Sequence, residues 1–351
     1  MNIFFFRTNW ALLLYMLYEP MWEQTLYCFM SEKSIPRYFK ENRIHHYVLR
    51  QNEFHDNLFR RIYGRIIDEF NYWNFVRTIR NIQPKHCFGD DDSLLSKPFI
   101  DDDFCVVEDG LANYTPWNIE HLQNIGLIGH GCKYKAMGFD PIIKKVLLSG
   151  AFQLPNEMIK KAILIDVRKK WQEKSLNEQK KIMAVFQTSE EELASYKSDY
   201  VVLTQNFDAY NIQSGESEFS RYEKILKNYP YGKVLIKPHP ASRFDYSKNF
   251  PDYCTVRQGL PFELLELYND YNVLISINST AAFTVPGTKQ IDLYDMEGNL
   301  QKRFEISPKN RVSAREISAL VPPVQKKPLT VKQILQNIYY LLLRKIMWHI
   351  K

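Results

Sequence analysis

The sequence predicts an α/β protein of two domains, each built on a parallel sheet. Three observations predict it. Short apolar runs of strand length alternate with stretches of helical period along most of the chain. The chain, at 351 residues, is longer than one core usually serves. Several of the apolar runs end abruptly in polar or proline-containing turns, as buried parallel strands do where they leave the interior.

The opening "MNIFFF" reads as a first buried strand, 2–6, and "WALLLYMLYEPM" as the helix packed on it, 10–18. Arg7 and Asn9 interrupt this apolar start, the part after them is too short to span a bilayer, and no small-residue cleavage site follows. The expectation is therefore no export signal. Further strands are expected at 45–49, 104–108, 145–148, 200–204, 233–237, 254–257, 272–277 and 290–294. Helical patterns fall at 53–80, 155–171, 175–186, 217–228, 261–269 and 331–348. The lysine-rich stretch 155–190 reads as helices bordering a domain junction, followed by a polar link, 187–199. The division expected is 1–190 for the first domain, 191–330 for the second and 331–351 for a terminal helix.

Composition narrows the function classes. Apolar residues make up 45% and charged residues 25%, the balance of a globular chain. The net charge of +6 suits an anionic ligand or an anionic membrane surface and falls far short of a nucleic-acid-binding arm. The five cysteines, Cys28, Cys87, Cys105, Cys132 and Cys254, are scattered without a C-x-x-C pair. Neither a zinc site nor a disulfide framework is indicated, and a reducing cytoplasm is expected.

The stretch "VLIKPHPASRFDY" (234–246) carries the sharpest signal. Proline fixes its own φ, lacks an amide donor and pushes the preceding residue out of the helical region. Pro238-His239-Pro240 therefore ends a strand and holds the histidine extended at its tip, just after Lys237. In "YNVLISINSTAAF" (271–283) a buried strand runs into Asn278-Ser279-Thr280 and small residues. Hydroxyls and amides at a helix start after a strand form an anion site, although a plain N-cap has the same appearance. Glu263, in "LPFELL" (260–265), falls in the first turn of a helix, where it offsets the dipole or accepts hydrogen bonds from a ribose diol. In the first half, "DDDFCVVEDGLANY" (101–114) ends a strand in Glu108-Asp109-Gly110. Adjacent carboxylates repel, which raises one pKa and makes a base, and the glycine lets a ligand approach the backbone. The earlier "CFGDDDSLL" (87–95) reads as an ordinary acidic turn.

The ordered set "FGDDDSLLSKPFI", "VVEDGLANY", "KKVLLSG", "VVLTQ", "KPHP", "PFELL" and "SINST" resembles bacterial sialyltransferases, most of all glycosyltransferase family 52. That family includes lipooligosaccharide and capsule sialyltransferases and also glucosyltransferases. The resemblance covers roughly residues 1–295. It implies a GT-B fold, two Rossmann-like domains facing across a cleft, with the donor, CMP-N-acetylneuraminic acid, mainly on the second. Asp109 matches the proposed base, His239 and the pair Ser279-Thr280 match the groups that meet the CMP phosphate, and Glu263 matches the ribose-binding glutamate. Lys237 joins the phosphate site, with Glu108, Gly110 and Pro240 as motif support. Ala112-Asn113-Tyr114 stands where the family often has Gly-Ser-Tyr, and Asp208 in "TQNFDAY" is a rival base.

The chemistry follows from the residues. A galactose hydroxyl must lose its proton as the anomeric carbon becomes cation-like, and a carboxylate within about 3 Å can take it. The leaving group is a single phosphate ester, so donors must face it, but no diphosphate needs neutralising. No metal and no cofactor is expected, and Asp90-Asp91-Asp92 and Asp101-Asp102-Asp103 read as turn acids rather than a metal motif. The expected partners are a nucleotide-sugar donor and a galactose-terminated glycan of capsule or lipooligosaccharide, free or lipid-linked, with no nucleic acid. A homodimer stays open. Two alternatives compete: a transferase of the same fold using another sugar such as UDP-glucose, and a non-catalytic envelope-assembly protein, which the intact site residues disfavour.

The tail, "LTVKQILQNIYYLLLRKIMWHIK", follows a proline-rich break and has no acidic residue. Ile334, Leu335, Ile338, Leu341, Leu342 and Ile346 recur near a 3.6 period, and Tyr339, Tyr340, Leu343, Met347 and Trp348 widen the stripe. Lys332, Arg344, Lys345 and Lys351 add positive charge. The first two turns suit packing on the first domain, and the last two suit the inner face of the cytoplasmic membrane. Removing residues 340–351 is expected to weaken binding to anionic liposomes while sparing transfer to a soluble galactoside. Undiminished liposome binding, or loss of folding, would identify the helix as core.

Overall fold

The computed structural model of the chain describes residues 1–49, 58–115, 135–207, 216–277, 279–284, 287, 289–307 and 309–320. Its first sheet holds β1 (Ile3–Phe5), β2 (Leu26–Phe29), β3 (His46–Val48), β4 (Cys87–Gly89), β5 (Cys105–Val107), β6 (Lys145–Leu148) and β7 (Ala162–Leu164). Their order is β3-β2-β1-β4-β5-β6-β7, and every pairing is parallel. The second sheet holds β8 (Tyr200–Leu203), β9 (Val234–Lys237), β10 (Cys254–Thr255), β11 (Val273–Ser276), β12 (Lys289–Tyr294) and β13 (Leu300–Ile306). Its order is β10-β9-β8-β11-β12-β13, parallel except for the last, antiparallel pair. Both sheets are doubly wound, with chain order reversing beside β1 in one and beside β8 in the other. Ligand crevices form at those reversals, beyond the carboxyl ends of the strands.

The strands form because both of their faces are covered. In the second sheet Val201, Leu203, Leu235 and Leu274 join one core, while Val202, Ile236 and Ile275 join another on the opposite face. That is the period-two alternation of a strand, with apolar residues on both sides. The first core is continuous with that of the first domain. There the helix Asn9–Tyr18 starts at Thr8, whose hydroxyl accepts a bond from Ala11 N, and buries Ala11 through Leu17. It is apolar nearly all round because it is enclosed. The Tyr15 ring lies 4.6 Å from Phe4 and 5.0 Å from Phe88, centroid to centroid.

The domains touch at several points. Asn9 Nδ2 donates to Gly259 O at 2.6 Å, and Gln153 donates from its backbone to Val312 O and from its side chain to Arg311 O. Phe152 packs on Phe283 with centroids 4.9 Å apart. The helices Val167–Glu173 and Leu176–Val185 pack on helices of the first domain, whereas Glu190–Ser195 packs on Phe262–Tyr268 of the second. The chain thus changes domains at about the polar turn 187–189.

Several expectations are corrected. The single helix expected at 155–171 is Asn156–Ile159, then β7, then Val167–Glu173. Alanine and isoleucines between lysines satisfy a helical period and a short edge strand alike. The polar link 187–199 contains a helix, because Ser189 caps Glu190–Ser195 by accepting a bond from Glu192 N. β2, β4, β7 and β13 were not anticipated. The acids after β4 are no solvated turn: Asp90 is 2% and Asp91 0% exposed. Asp91 accepts from Met137 N at 2.6 Å and Gly138 N at 2.8 Å, pinning a distant loop. By contrast, Asp101, Asp102 and Asp103 are exposed. Cys28, Cys87 and Cys105 are buried free thiols and Cys254 is exposed. Cys132, the rival base Asp208 and the tail 331–351 lie outside the described residues. Among the described residues, no helix is long and apolar enough to cross a membrane.

Gly89 closes β4 with φ +147, and a Cβ there would sit 2.7 Å from the carbonyl oxygen of Phe5 on the neighbouring strand. Backbone oxygen cannot swing aside, so Gly89→Ala is expected to destabilise the protein by about 3 kcal/mol. The urea midpoint measures this, and an unchanged midpoint would contradict the close approach.

Candidate active site

A cavity of about 450 Å³ opens between the two sheets. The first domain lines it with Thr8, Asn9 and Trp10 after β1 and with Glu108 to Ala112 after β5. The second lines it with Thr204 and Gln205 after β8, Lys237 to Pro240 after β9, Gly259 to Glu263 at a helix start, and Ser279 after β11. Of the residues singled out in the sequence, Glu108, Asp109, Gly110, Lys237, His239, Pro240, Glu263 and Ser279 all meet here. Thr280 opens the turn that follows Ser279.

The adjacent acids divide their roles. Glu108 is fully buried and accepts from Ser149 N at 2.5 Å, Tyr114 Oη at 2.8 Å and Ser149 Oγ at 3.1 Å. It ties the end of β5 to the end of β6. Burial raises its pKa against these bonds. Asp109 is 18% exposed, and its Oδ2 lies 3.2 Å from Arg7 Nε. Its Oδ1 is buried and has no hydrogen-bond partner among the described residues. Burial raises the Asp109 pKa, Arg7 opposes this and Asp90 adds to it. Repulsion from Glu108 is therefore not the principal cause, contrary to the expectation from the paired acids. Gly110, at φ +153, turns the chain so that the Asp109 and Gly110 amides both donate to Asn113 Oδ1, at 2.9 and 3.2 Å.

On the facing side, His239 N donates to Thr204 Oγ1 at 2.8 Å, and Ala241 N donates to His239 Nδ1 at 3.1 Å. With Nδ1 accepting, the neutral ring carries its proton on Nε2. Burial, then the charge of Lys237, pushes the His239 pKa down to about 4. Gln258 Nε2 holds the turn through the carbonyls of His239, Pro240 and Ser242 at 2.7–3.3 Å. Lys237 is 5% exposed and donates to Pro238 O at 2.8 Å, and burial lowers its pKa to about 8. Glu263 is 7% exposed and burial raises its pKa to about 7, while Thr284 Oγ1, 3.1 Å from its Oε1, and Lys237 oppose the rise. The Ser279-Thr280 segment enters a four-residue 3₁₀ turn, Thr280–Phe283, and not the longer helix expected, since Pro286 follows too closely for one. Its dipole is correspondingly weak, so hydroxyl and amide donors remain its contribution.

Sequence reasoning missed Arg7, Thr204, Gln205 and Thr284. Their signal is position: Arg7, Thr204 and Gln205 each stand one or two residues past the end of a buried strand. Chemically, the cavity sets a carboxylate with an unpartnered oxygen against an N–H donor, an ammonium and a hydroxyl. Such a pairing takes a proton on one side and stabilises a departing anion on the other.

The chain resembles known proteins along most of its length. A curated protein of Haemophilus influenzae, described only as uncharacterized, is 24% identical over 193 residues, which is 54% of this chain and 61% of that protein. Among solved structures, the α/β-galactoside α-2,3-sialyltransferase of Photobacterium phosphoreum superimposes with a TM-score of 0.51 at 11% identity, covering 92% of this chain and 96% of that one. The GT-B domain of a Photobacterium damselae sialyltransferase gives 0.53 at 13%, covering 93% and 98%. A 2,6-sialyltransferase of Photobacterium sp. JT-ISH-224, solved with CMP and lactose, gives 0.52 at 11%, covering 84% and 71%. These likenesses establish the fold: two doubly wound domains facing across a cleft, the GT-B architecture. Residues 36–297 match the family described as Glycosyltransferase family 52, and the chain belongs to that family.

Proposed function

We propose that the chain is an inverting sialyltransferase, moving sialic acid from CMP-N-acetylneuraminic acid to a galactose hydroxyl of a bacterial surface glycan. One observation carries this reading: Asp109 shares a single cavity with Lys237, His239, Glu263 and Ser279 of the facing domain. The sialyltransferases of the same fold, one of them in complex with CMP and lactose, support the choice of donor and acceptor.

In the reading, the acceptor hydroxyl approaches the Asp109 carboxylate, which lines the cavity. Burial raises the carboxylate's proton affinity, which suits it to receive the hydroxyl proton. Attack proceeds directly at the anomeric carbon, opposite the leaving CMP, so the configuration inverts. Negative charge grows on the departing phosphate, and His239 Nε2–H, Lys237 and Ser279 supply donors there. Binding the anionic donor raises the proton affinity of Lys237 and His239 again, since a nearby negative charge favours their charged forms. Glu263 receives the ribose hydroxyls. The reaction needs no metal in this reading, because CMP leaves as a single phosphate monoester and no diphosphate has to be neutralised. Asp90 and Asp91 are engaged by Arg7 and by backbone amides respectively.

The decisive experiment is incubation of the purified chain with CMP-sialic acid or UDP-glucose and a panel of galactosides, with mass spectrometry of the products. Sialylated product, formed also in EDTA, is expected, and a UDP-sugar product alone would replace the proposed donor. Asp109→Asn should abolish transfer yet leave CMP binding within about threefold by calorimetry, since the nucleotide groups lie on the other domain. Asp208→Asn should do less, and the reverse order of severity would move the base to Asp208. His239→Ala should lower kcat about a hundredfold, the usual scale for one transition-state donor. In the free protein the His239 ring should stay neutral from about pH 8 down to about pH 5, being pushed to about 4. An NMR titration with a midpoint near the ordinary histidine value would contradict its buried setting.

A further inference from the structure

Arg7 stands past the end of β1, at the point where chain order reverses in the first sheet. Its Nη1 pairs with Asp90 Oδ2 at the end of β4, and its Nε lies 3.2 Å from Asp109 Oδ2 beyond β5. One guanidinium therefore joins three strand ends. Asp90 is itself fixed: its side chain is 1% exposed, its Oδ1 accepts from Asp92 N at 3.0 Å, and its carbonyl accepts from Ser96 Oγ. Planar and delocalised, a guanidinium held on one edge by such a carboxylate presents its remaining N–H groups in a set direction. Asp109 meets it through Oδ2 alone, and Oδ1 is left without a partner among the described residues.

We propose that Arg7 and Asp90 are positioning residues that hold Asp109 through its Oδ2 and fix its carboxylate at the cavity wall, where it meets the acceptor hydroxyl. The inference rests on the reading of Asp109 as the base. The charged groups around Asp109 are Arg7 after β1, Asp90 and Asp92 after β4 and Glu108 beside it, with Lys237, His239 and Glu263 lining the same cavity from the second domain. Arg7 favours the charged carboxylate, while Asp90 and Asp92 oppose it. Removing the Arg7 charge and removing the Asp90 charge must then act in opposite directions. A purely structural role would lower activity at every pH alike.

The test is the pH profile of kcat/KM for the full chain with CMP-sialic acid and a soluble galactoside, alongside thermal melts. In Arg7→Gln the acid limb should move up by about one pH unit with kcat reduced at least tenfold. In Asp90→Asn it should move down, and in Arg7→Lys it should stay near wild type while kcat falls, because charge is kept and the planar fork is lost. Limbs that superimpose, or that move the same way in both charge-removing variants, would overturn the clamp. Where Arg7→Gln does not fold, the Asp90→Asn limb and the Arg7→Lys turnover decide: the clamp falls if the Asp90→Asn limb coincides with wild type or if Arg7→Lys keeps wild-type kcat. Asp109→Asn separates the two readings. If it retains wild-type turnover, the base assignment and the clamp fall together; if it is inactive while the limbs stay put, only the clamp falls.

Discussion

A parallel strand covered on both faces can carry almost nothing but apolar side chains, and this constraint places the site. β1, β5 and β9 are buried along their lengths, and β8 is buried from Val201 to Leu203. Polar chemistry can begin only where each strand leaves the interior, and in a parallel sheet all those exits lie on one edge. Arg7, Glu108-Asp109, Thr204-Gln205 and His239 are the first polar residues past four such exits, and Lys237 is the last residue of its strand. The two sheets turn these edges toward each other. Bonds such as Asn9 to Gly259 and Gln153 to Val312 hold them at a separation that leaves one shared cavity.

Enclosure then governs the electrostatics. Burial is the first cause of the shift in each principal ionisable group: it raises Asp109 and Glu263 and lowers Lys237 and His239. All four are driven toward neutrality, because a partly dry cavity penalises either sign of charge. Lys237 near 8 and Glu263 near 7 compensate one another incompletely. A site poised in this way gains most from a ligand that brings its own negative charge, and the mild positive balance of the whole chain favours approach of the same ligand.

How much of this was legible follows from the same geometry. His239, Glu263 and Ser279 could be read because a proline or a small polar cluster marks the strand or helix boundary locally. β2 and β4 could not: "LYCF" and "CFG" are too short to set a period. β13 alternates mostly charged residues with only Phe304 and Ile306 buried, as an edge strand does, and its pattern is lost among surface residues. The two domains and the facing sites were within reach; the link helix was not, since its cap, Ser189, reads equally as a loop residue. Arg7 and Asp90 are 83 positions apart, and no local pattern relates a lone arginine after one strand to an acid after another. For the same reason the acids after β4 look like a solvated turn in the sequence and turn out to be buried anchors.

Hydrogen-bond satisfaction, rather than burial, separates structural acids from available ones at this edge. Glu108 and Asp109 are neighbours in sequence and both are shifted upward, yet Glu108 accepts three bonds and Asp109 keeps an unpartnered oxygen. A buried acceptor left unpaired is unfavourable by about 1–3 kcal/mol, and a fold tolerates it where a ligand supplies the missing donor. The deficit alone is insufficient as a marker. Glu266 also has both carboxylate oxygens without a hydrogen-bond partner, and burial raises its pKa to about 7. It faces Lys289 at 3.9 Å in the interior and does not line the cavity. Both acids face a cation, but Glu266 is enclosed, whereas Asp109 lines the cavity. The combination of an unsatisfied oxygen, a fixed neighbour and a place on the cavity wall is what distinguishes Asp109 from Glu108 and Glu263, the other buried carboxylates described in this site.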